Sequence, residues 1–424
     1  MLSAPIIFSL IFALILVLLV KGVYHRSVIA MLGALLTVAC GLGLGIFDMD
    51  DVAVFISSNS DTILLIIGSM ILCESLGRAG LFQYIGLNMV INIGRSIRWF
   101  AAVMLILTVI LAAFLENITA MLIIGALTLS LERRLEIDLS DLICYEAIFT
   151  NIGGQMLMIS SIPNLVVADS FNIGFSRFAI IGIPLSLILM VISIYMVAKR
   201  LKSSPLKESL DIDPWSAVED KSVFYRSIAI FVIVIVLFVL NDIIHIGMGL
   251  IAIGGAVAML ILSGEDPESV FRGLDWGTIF FLISFFVIVG GLERSGSLAI
   301  FAQSLSGLFQ LMPAFAYAFN LLVCGLASAF IDNVPITITL IPVTKYIAAN
   351  LGLDTEALAW SMIFGANLGG NFTPIGSPSN IIAIGMLKRK GKNISFWEWF
   401  RKYTIFPCIH LFLAGLYTGL LVVT

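Results

Sequence analysis

The chain has 424 residues, of which 60% are hydrophobic and only 12% charged, with a net charge of −4. Soluble domains carry about 25% charged residues, so the composition excludes a water-soluble fold and predicts an all-α polytopic membrane protein. Five scattered cysteines without a CxxC pair and three distant histidines argue against a disulfide framework or a metal centre, and no HExxH, GxGD or nucleotide-binding motif occurs. No enzyme activity, cofactor, nucleic-acid partner or ATPase subunit is expected; the first partner is the lipid bilayer.

About 20 apolar residues cross a bilayer core. On that measure the first half has spans near 5–20, 27–47 and 61–77. The N-terminal run lacks a basic n-region and a clear cleavage site, so it reads as a retained helix. Residues 81–94 mix polar and apolar positions, as an interfacial helix does. Residues 98–131 are apolar except for Glu116-Asn117-Ile118-Thr119. The stretch is too long for one span and its second arm is short, which predicts a re-entrant hairpin with Glu116-Asn117 at the tip. A broken span (142–168) and a further span (177–198) close an N-terminal unit, 1–198.

Residues 199–222, charged and carrying Pro205 and Pro214, form the one long polar linker. The C-terminal unit, 223–424, repeats the order. Spans near 223–240, 246–263 and 275–292 precede an interfacial stretch at 297–310 and a hairpin at 313–346 with Asp332-Asn333 at its tip. A broken span (355–386) and a last span (402–422) follow.

The two breaks are Gly-, Pro- and amide-rich. Asn151-Ile152-Gly153-Gly154 and Ser161-Ile162-Pro163-Asn164 mark the first, and Asn367-Leu368-Gly369-Gly370-Asn371 through Thr373, Ser377 and Asn380 mark the second. Proline removes a backbone donor and glycine adds entropy cost, so neither span runs through unbroken. The separation 367 − 151 = 216 recurs for Gly153/Gly369, Gly154/Gly370, Ser161/Ser377, Asn164/Asn380, Glu116/Asp332 and Asn117/Asn333. A single offset held without a gap is a duplicated unit.

Each unit has five crossings plus a hairpin that returns to its own side. Five is odd, so the second unit is inverted, the design of secondary transporters. With the linker on one side, all 23 Lys and Arg fall on that side except Arg177, Arg294 and Lys345. The positive-inside rule makes it the cytoplasmic side, with both termini external and the protein in the cytoplasmic membrane.

Carboxylates at bilayer depth are costly, about 2.5–3.5 kcal/mol on insertion scales, so Glu116 and Asp332 are the leading candidates for chemistry. Each tip is expected to meet the break of its own repeat. The first cluster gathers Glu116, Asn117, Thr119, Asn151, Ser161 and Asn164; the second gathers Asp332, Asn333, Thr337, Asn367, Asn371, Thr373, Ser377 and Asn380. Hydroxyl, amide and carboxylate oxygens suit Na⁺, with Asp332, Asn333, Asn367, Ser377 and Asn380 as a ligand set, and a carboxylate can instead carry a proton. Helix N-termini after Gly153-Gly154 and Gly369-Gly370 favour an anionic or polarised solute. The packing alternative is that the glycines only let helices approach. Glu74 and Glu146, whose repeat positions hold Gly290 and Met362, read as interfacial acids at span ends, and Arg78 and Arg294 as anchors.

Phe114-Leu115-Glu116-Asn117-Ile118-Thr119, the two Gly-Gly breaks and Asp332-Asn333-Val334-Pro335 resemble the ion transporter superfamily, in particular its citrate-transporter-like permeases. That group takes in arsenite permeases, relatives of the P protein, sodium/proton antiporters of the NhaD type and sodium–dicarboxylate symporters. The resemblance implies a homodimer with a scaffold and a mobile transport region that works as an elevator, the tips and breaks binding ion and solute. Dicarboxylate symporters carry Ser-Asn-Thr at the tips; acidic tips look more like the arsenite permease and antiporter branches. Gln155-Met156-Leu157-Met158 is also bulkier than the pattern at that break. The reading is a secondary transporter of a small anion or oxyanion, carboxylate or arsenite-like, coupled to Na⁺ or H⁺. The alternative is a Na⁺/H⁺ antiporter with no such solute. A channel fits less well, because the polar residues cluster in two breaks and do not line a continuous pore.

Overall fold

The computed structural model describes residues 3–22, 24–91, 96–201, 213–311 and 315–423. Residues 92–94 of the expected interfacial stretch, 202–212 of the linker and 313–314 of the second hairpin lie outside them, as do Arg95, Lys202 and Lys207. The first repeat comprises α1 (Ser3–Lys21), α2 (Arg26–Gly43), α3 (Met49–Ser57), α4 (Ser60–Arg78), α5 (Leu81–Ile91), α6 (Ile97–Phe114), α7 (Asn117–Leu135), α8 (Ser140–Gly153), α9 (Ile162–Ser170) and α10 (Phe175–Arg200). The second comprises α11 (Lys221–Ile244), α12 (Met248–Ser263), α13 (Pro267–Gly273), α14 (Trp276–Arg294), α15 (Ser297–Leu311), α16 (Ala316–Ser328), α17 (Asn333–Leu351), α18 (Thr355–Gly369), α19 (Pro378–Arg389), α20 (Phe396–Tyr403) and α21 (Ile405–Val423). Among the described residues, nine of these helices are long and apolar enough to cross a membrane. The fold is the expected all-helical one of two inverted repeats with hairpins and broken helices.

Three short helices were not anticipated, although each carries a start signal. Asp48 accepts from the Asp51 N–H and Asp51 from the Asp48 N–H, a capping box that opens α3. Asp266 caps α13, with Pro267 in its first turn. Ser395 accepts from the Glu398 N–H at the start of α20. Because α20 ends at Tyr403, the last span begins at Ile405 and not at 402.

At the hairpin tips the chain leaves helical geometry for extended backbone at Leu115 and Glu116, and again at Asp332. Asp332 then caps α17 by accepting the Val334 N–H.

The two repeats are woven together. Helix α4 packs along α12, and α14 along α2. The post-break helices cross over as well: α9 packs on α17 and α18, and α19 on α7 and α8. Several of the largest fully buried side chains, Trp360 and Phe364 in α18, Trp399 and Tyr403 in α20 and Phe149 in α8, lie in the helices around the breaks.

Candidate functional site

In each break a helix stops at a Gly-Gly pair, a single 3-10 turn follows, and a short helix resumes with proline in its first turn. The freed carbonyls need donors inside the protein. Asn164 supplies them in the first break, donating to the carbonyls of Gly154 (2.7 Å) and Leu157 (2.9 Å). Asn380 does the same in the second, to Gly370 (3.1 Å) and Thr373 (3.0 Å). All three pairs of positions are related by the repeat. The Asn371 carbonyl receives the indole N–H of the buried Trp399 (3.1 Å), so α20 also holds the second break.

The first glycine of each pair serves close approach. A Cβ on Gly153 would lie 2.5 Å from the Val109 carbonyl in α6, and one on Gly369 would collide with the backbone of Gly325 in α16, the repeat-equivalent position. Gly154 leaves room for Asn117, whose Oδ1 would be 2.5 Å from an added Cβ, and Gly370 does so for the Gly376 carbonyl. The packing role of these glycines is therefore part of the site's construction.

The amides do not divide into two clusters by repeat, and here the expectation is corrected. Asn117 donates to Asn151 (2.9 Å) within the first repeat, but Asn151 donates onward to Asn371 (2.6 Å) and contacts Ser377 in the second. Asn367 likewise donates to Asn164 of the first repeat (2.8 Å). The result is a belt of two buried amide sets, Asn117–Asn151–Asn371 and Asn164–Asn367, each spanning the two repeats. The cause is the crossover of α9 and α19, which sets each post-break helix beside the other repeat's break. Thr373 donates to the Ala329 carbonyl and Thr337 to the Asn333 carbonyl, so these hydroxyls lock tip and helix backbone; Asn333 itself is buried.

Asp332 stands apart from the amides expected to share Na⁺ with it. Its carboxylate accepts from Arg26 of α2 (2.9 Å), whose other nitrogen donates to Asp275 (3.2 Å) and Thr278 (2.6 Å). Glu116 lies within electrostatic range of Arg26, Asp275 and Asp332. The expected ligand set is thus split between the tip and the belt.

Three amide oxygens, on Asn117, Asn367 and Asn380, are buried without a hydrogen-bond donor. Gln155 is fully buried with neither side-chain atom partnered, whereas Asn371 at the equivalent position binds Asn151 and the Ile148 carbonyl. Glu146 is another correction. It is fully buried two turns into α8, takes a hydrogen bond from Thr128 (2.5 Å) and is not an interfacial acid.

Each tip and break bounds a cavity. The first, about 240 Å³, is lined by Glu116, Thr119, Ser161, Ser69, Glu74 and Asp275 among others, with no Lys or Arg among its described lining residues. Glu74, bonded to Arg78 (2.8 Å), faces this cavity. The second, about 320 Å³, has Asp332 where the first has Glu116, Pro335 for Thr119 and Ile375 for Ile159, and it adds Lys21 and Arg26. Sequence reasoning missed Arg26 as a site residue, because 306 positions separate it from Asp332 and only its charge marked it.

Comparisons with known proteins agree with this architecture. An uncharacterized transporter of Mycobacterium bovis is 28% identical, covering 85% of this chain and 86% of its own. One of Synechocystis sp. is 25% identical over 100% and 99%. The human P protein is 26% identical, covering 91% of this chain and 56% of its own. The crystal structure of the Alcanivorax borkumensis YdaH transporter superposes with a TM-score of 0.64 over 94% of this chain and 98% of its own, at 13% identity, which speaks for the fold alone. The family model described as citrate transporter matches residues 14–365, most of the chain, and this membrane transporter therefore belongs to the citrate transporter family.

Proposed function

We propose that the protein is a secondary active transporter of a small anion or oxyanion, carboxylate or arsenite-like, coupled to Na⁺ or H⁺ and working by an elevator motion. It resides as a homodimer in the cytoplasmic membrane, with both termini external. One observation carries the reading: two broken helices, joined by buried amides across the repeats, stand against hairpin tips that each hold a carboxylate. Discontinuous helices of this kind leave carbonyl and amide oxygens for a cation and helix N-termini for a solute. The donor-free oxygens of Asn117, Asn367 and Asn380 are hard ligands of the type that replaces a hydration shell. Glu116, Asn117, Thr119, Asn151, Ser161, Asn164, Asp332, Asn333, Thr337, Asn367, Asn371, Thr373, Ser377 and Asn380 form the transport site in this reading, with Gly153, Gly154, Gly369 and Gly370 shaping it.

A Na⁺/H⁺ antiporter is the second reading, favoured by the acid-lined first cavity, which carries Glu116, Glu74 and Asp275. Proteoliposomes with a trapped pH dye decide between them. Proton movement on adding NaCl alone establishes the antiporter. Silence with NaCl, followed by movement on arsenite or on one of a panel of carboxylates, establishes the solute transporter. Silence throughout sinks both.

A further inference from the structure

The two cavities share a backbone plan and differ in charge. Six lining positions of the first recur in the second at the repeat offset, from Leu115/Ile331 through Leu165/Ile381. No Lys or Arg lines the first; Arg78 and Arg26 pair with its Glu74 and Asp275 from outside the lining, which leaves Glu116 as its carboxylate without a hydrogen-bonded arginine. The second alone brings in cations, Lys21 at the end of α1 and Arg26 at the start of α2.

The geometry at Arg26 is specific. A guanidinium has five N–H donors in a rigid plane. One nitrogen is fixed to α14 through Asp275 and Thr278, and the group lies 5.9 Å from the Phe281 ring centre. The other nitrogen points to Asp332, the one carboxylate in the described lining of this cavity. A guanidinium anchored on one side, with its other nitrogen facing a cavity and already holding a carboxylate there, matches an anion that presents two oxygens, such as a carboxylate or oxyanion.

We propose that Arg26 is the anion-binding group of the second cavity, and that Asp332 occupies it until a coupling cation or proton takes that carboxylate. Ionised Asp332 and an anionic solute compete for the same N–H edge, so an empty tip repels the solute and holds the arginine. Neutralising Asp332 leaves Arg26 and Lys21 facing the cavity, with Asp275 still paired and the Glu116 charge on the other tip. Cation binds first and anion second, which couples the two. This inference rests on the solute-transporter reading and assigns its anion site.

The test follows Arg26 itself in the purified full-length protein. Phenylglyoxal, an arginine-selective reagent, is applied, and the Arg26 peptide is quantified by mass spectrometry as a ratio to the exposed Arg272. Asp332→Asn is expected to raise that ratio about tenfold, the factor that accompanies loss of a charged hydrogen bond. Asp332→Glu, which keeps the ion pair, stays near the wild-type value. In the wild type, NaCl in place of choline chloride, or acidification, raises the ratio without any substitution, so the result does not depend on a variant folding. Citrate or inorganic phosphate then slows the reaction at Arg26 in Asp332→Asn and leaves Arg272 unaffected. Equal ratios in wild type and Asp332→Asn, or a wild-type ratio that neither Na⁺ nor acid moves, overturn the competition. An Asp332-dependent ratio that no anion lowers overturns the anion site. The dye assay judges the transporter reading separately, so either failure is recognisable.

Discussion

The two breaks descend from one plan, and they have kept different parts of it. Asn164 and Asn380 hold their carbonyls through the same pair of hydrogen bonds, and Gly153 and Gly369 press on the same position of the hairpin arm. The chemistry has drifted. The first tip is Glu116 in a cavity of acids; the second is Asp332 held by Arg26. Asn371 joins Asn151, while Gln155 at the matching place has no partner. Duplication preserved what builds a break in a membrane and let the charges around it differ.

The largest expected effect breaks the comparison at its charges. Asp332→Asn abolishes coupled transport in proteoliposomes while the protein still elutes as a single folded species; wild-type rates in that variant would remove the second tip from the mechanism. Glu116→Gln tests whether the acid-lined cavity serves the cation: the apparent affinity for the coupling ion should fall by about tenfold or more, as loss of a charged ligand implies. Unchanged cation dependence would leave Glu116 a structural group.

The next effect is on stability. Asn151→Ala strands the amides of Asn117 and Asn371, and a buried unpaired group costs about 1–3 kcal/mol, so the melting midpoint in detergent drops. Gln155→Leu sharpens the contrast with Asn371→Leu. Removing an amide that has no partner leaves the midpoint unchanged or higher, whereas removing its bonded counterpart lowers it. Equal losses at both positions would show that the breaks are energetically alike after all.

The smallest effect lies outside the membrane. Burial by itself would raise the pKa of Asp138, but hydrogen bonds from Lys392, Ser140 and Lys390 hold it below its ordinary 3.8. A depressed carboxyl stabilises the fold above the ordinary value and ceases to do so as pH falls through the depressed one. Asp138→Asn should therefore lower the midpoint at neutral pH and leave it unchanged in strong acid. The group is mostly exposed, so the change stays within the ~1 kcal/mol of a surface ion pair. A pH-independent loss would argue against the ion pairs.

The breaks and hairpins could be read from sequence because a Gly-Gly pair followed by Pro, or an acid beside an amide, recurs at one offset in otherwise apolar stretches, whereas the lone Pro184 and Pro342 leave their helices unbroken. Asn151, Asn164, Asn367 and Asn380 announced themselves through the repeat. Their partners did not, since the joining of Asn151 to Asn371 depends on how α9 and α19 cross over, and a spacing of 220 residues carries no local signal. Arg26 was hidden for the same reason. Glu146 misled because an acid flanked by apolar residues looks the same at a span end as in a packed interior. The caps at Asp48, Asp266 and Ser395 are legible in the sequence, but the helices they open are too short for a measure based on 20-residue apolar spans to find.

The crossover of α9 and α19 also bears on how the chain is made. Synthesis delivers the first repeat to the membrane before the second exists, and domains ordinarily settle in that order. Here α9 has its packing surface on α17 and α18, and the Asn371 partner of Asn151 lies further on still. A nascent chain halted in the linker therefore holds an unfinished break with exposed amides, and only translation through α19 completes either half. The first break is therefore expected to acquire its native partners only after the second has been made, so its completion waits on the other half of the chain.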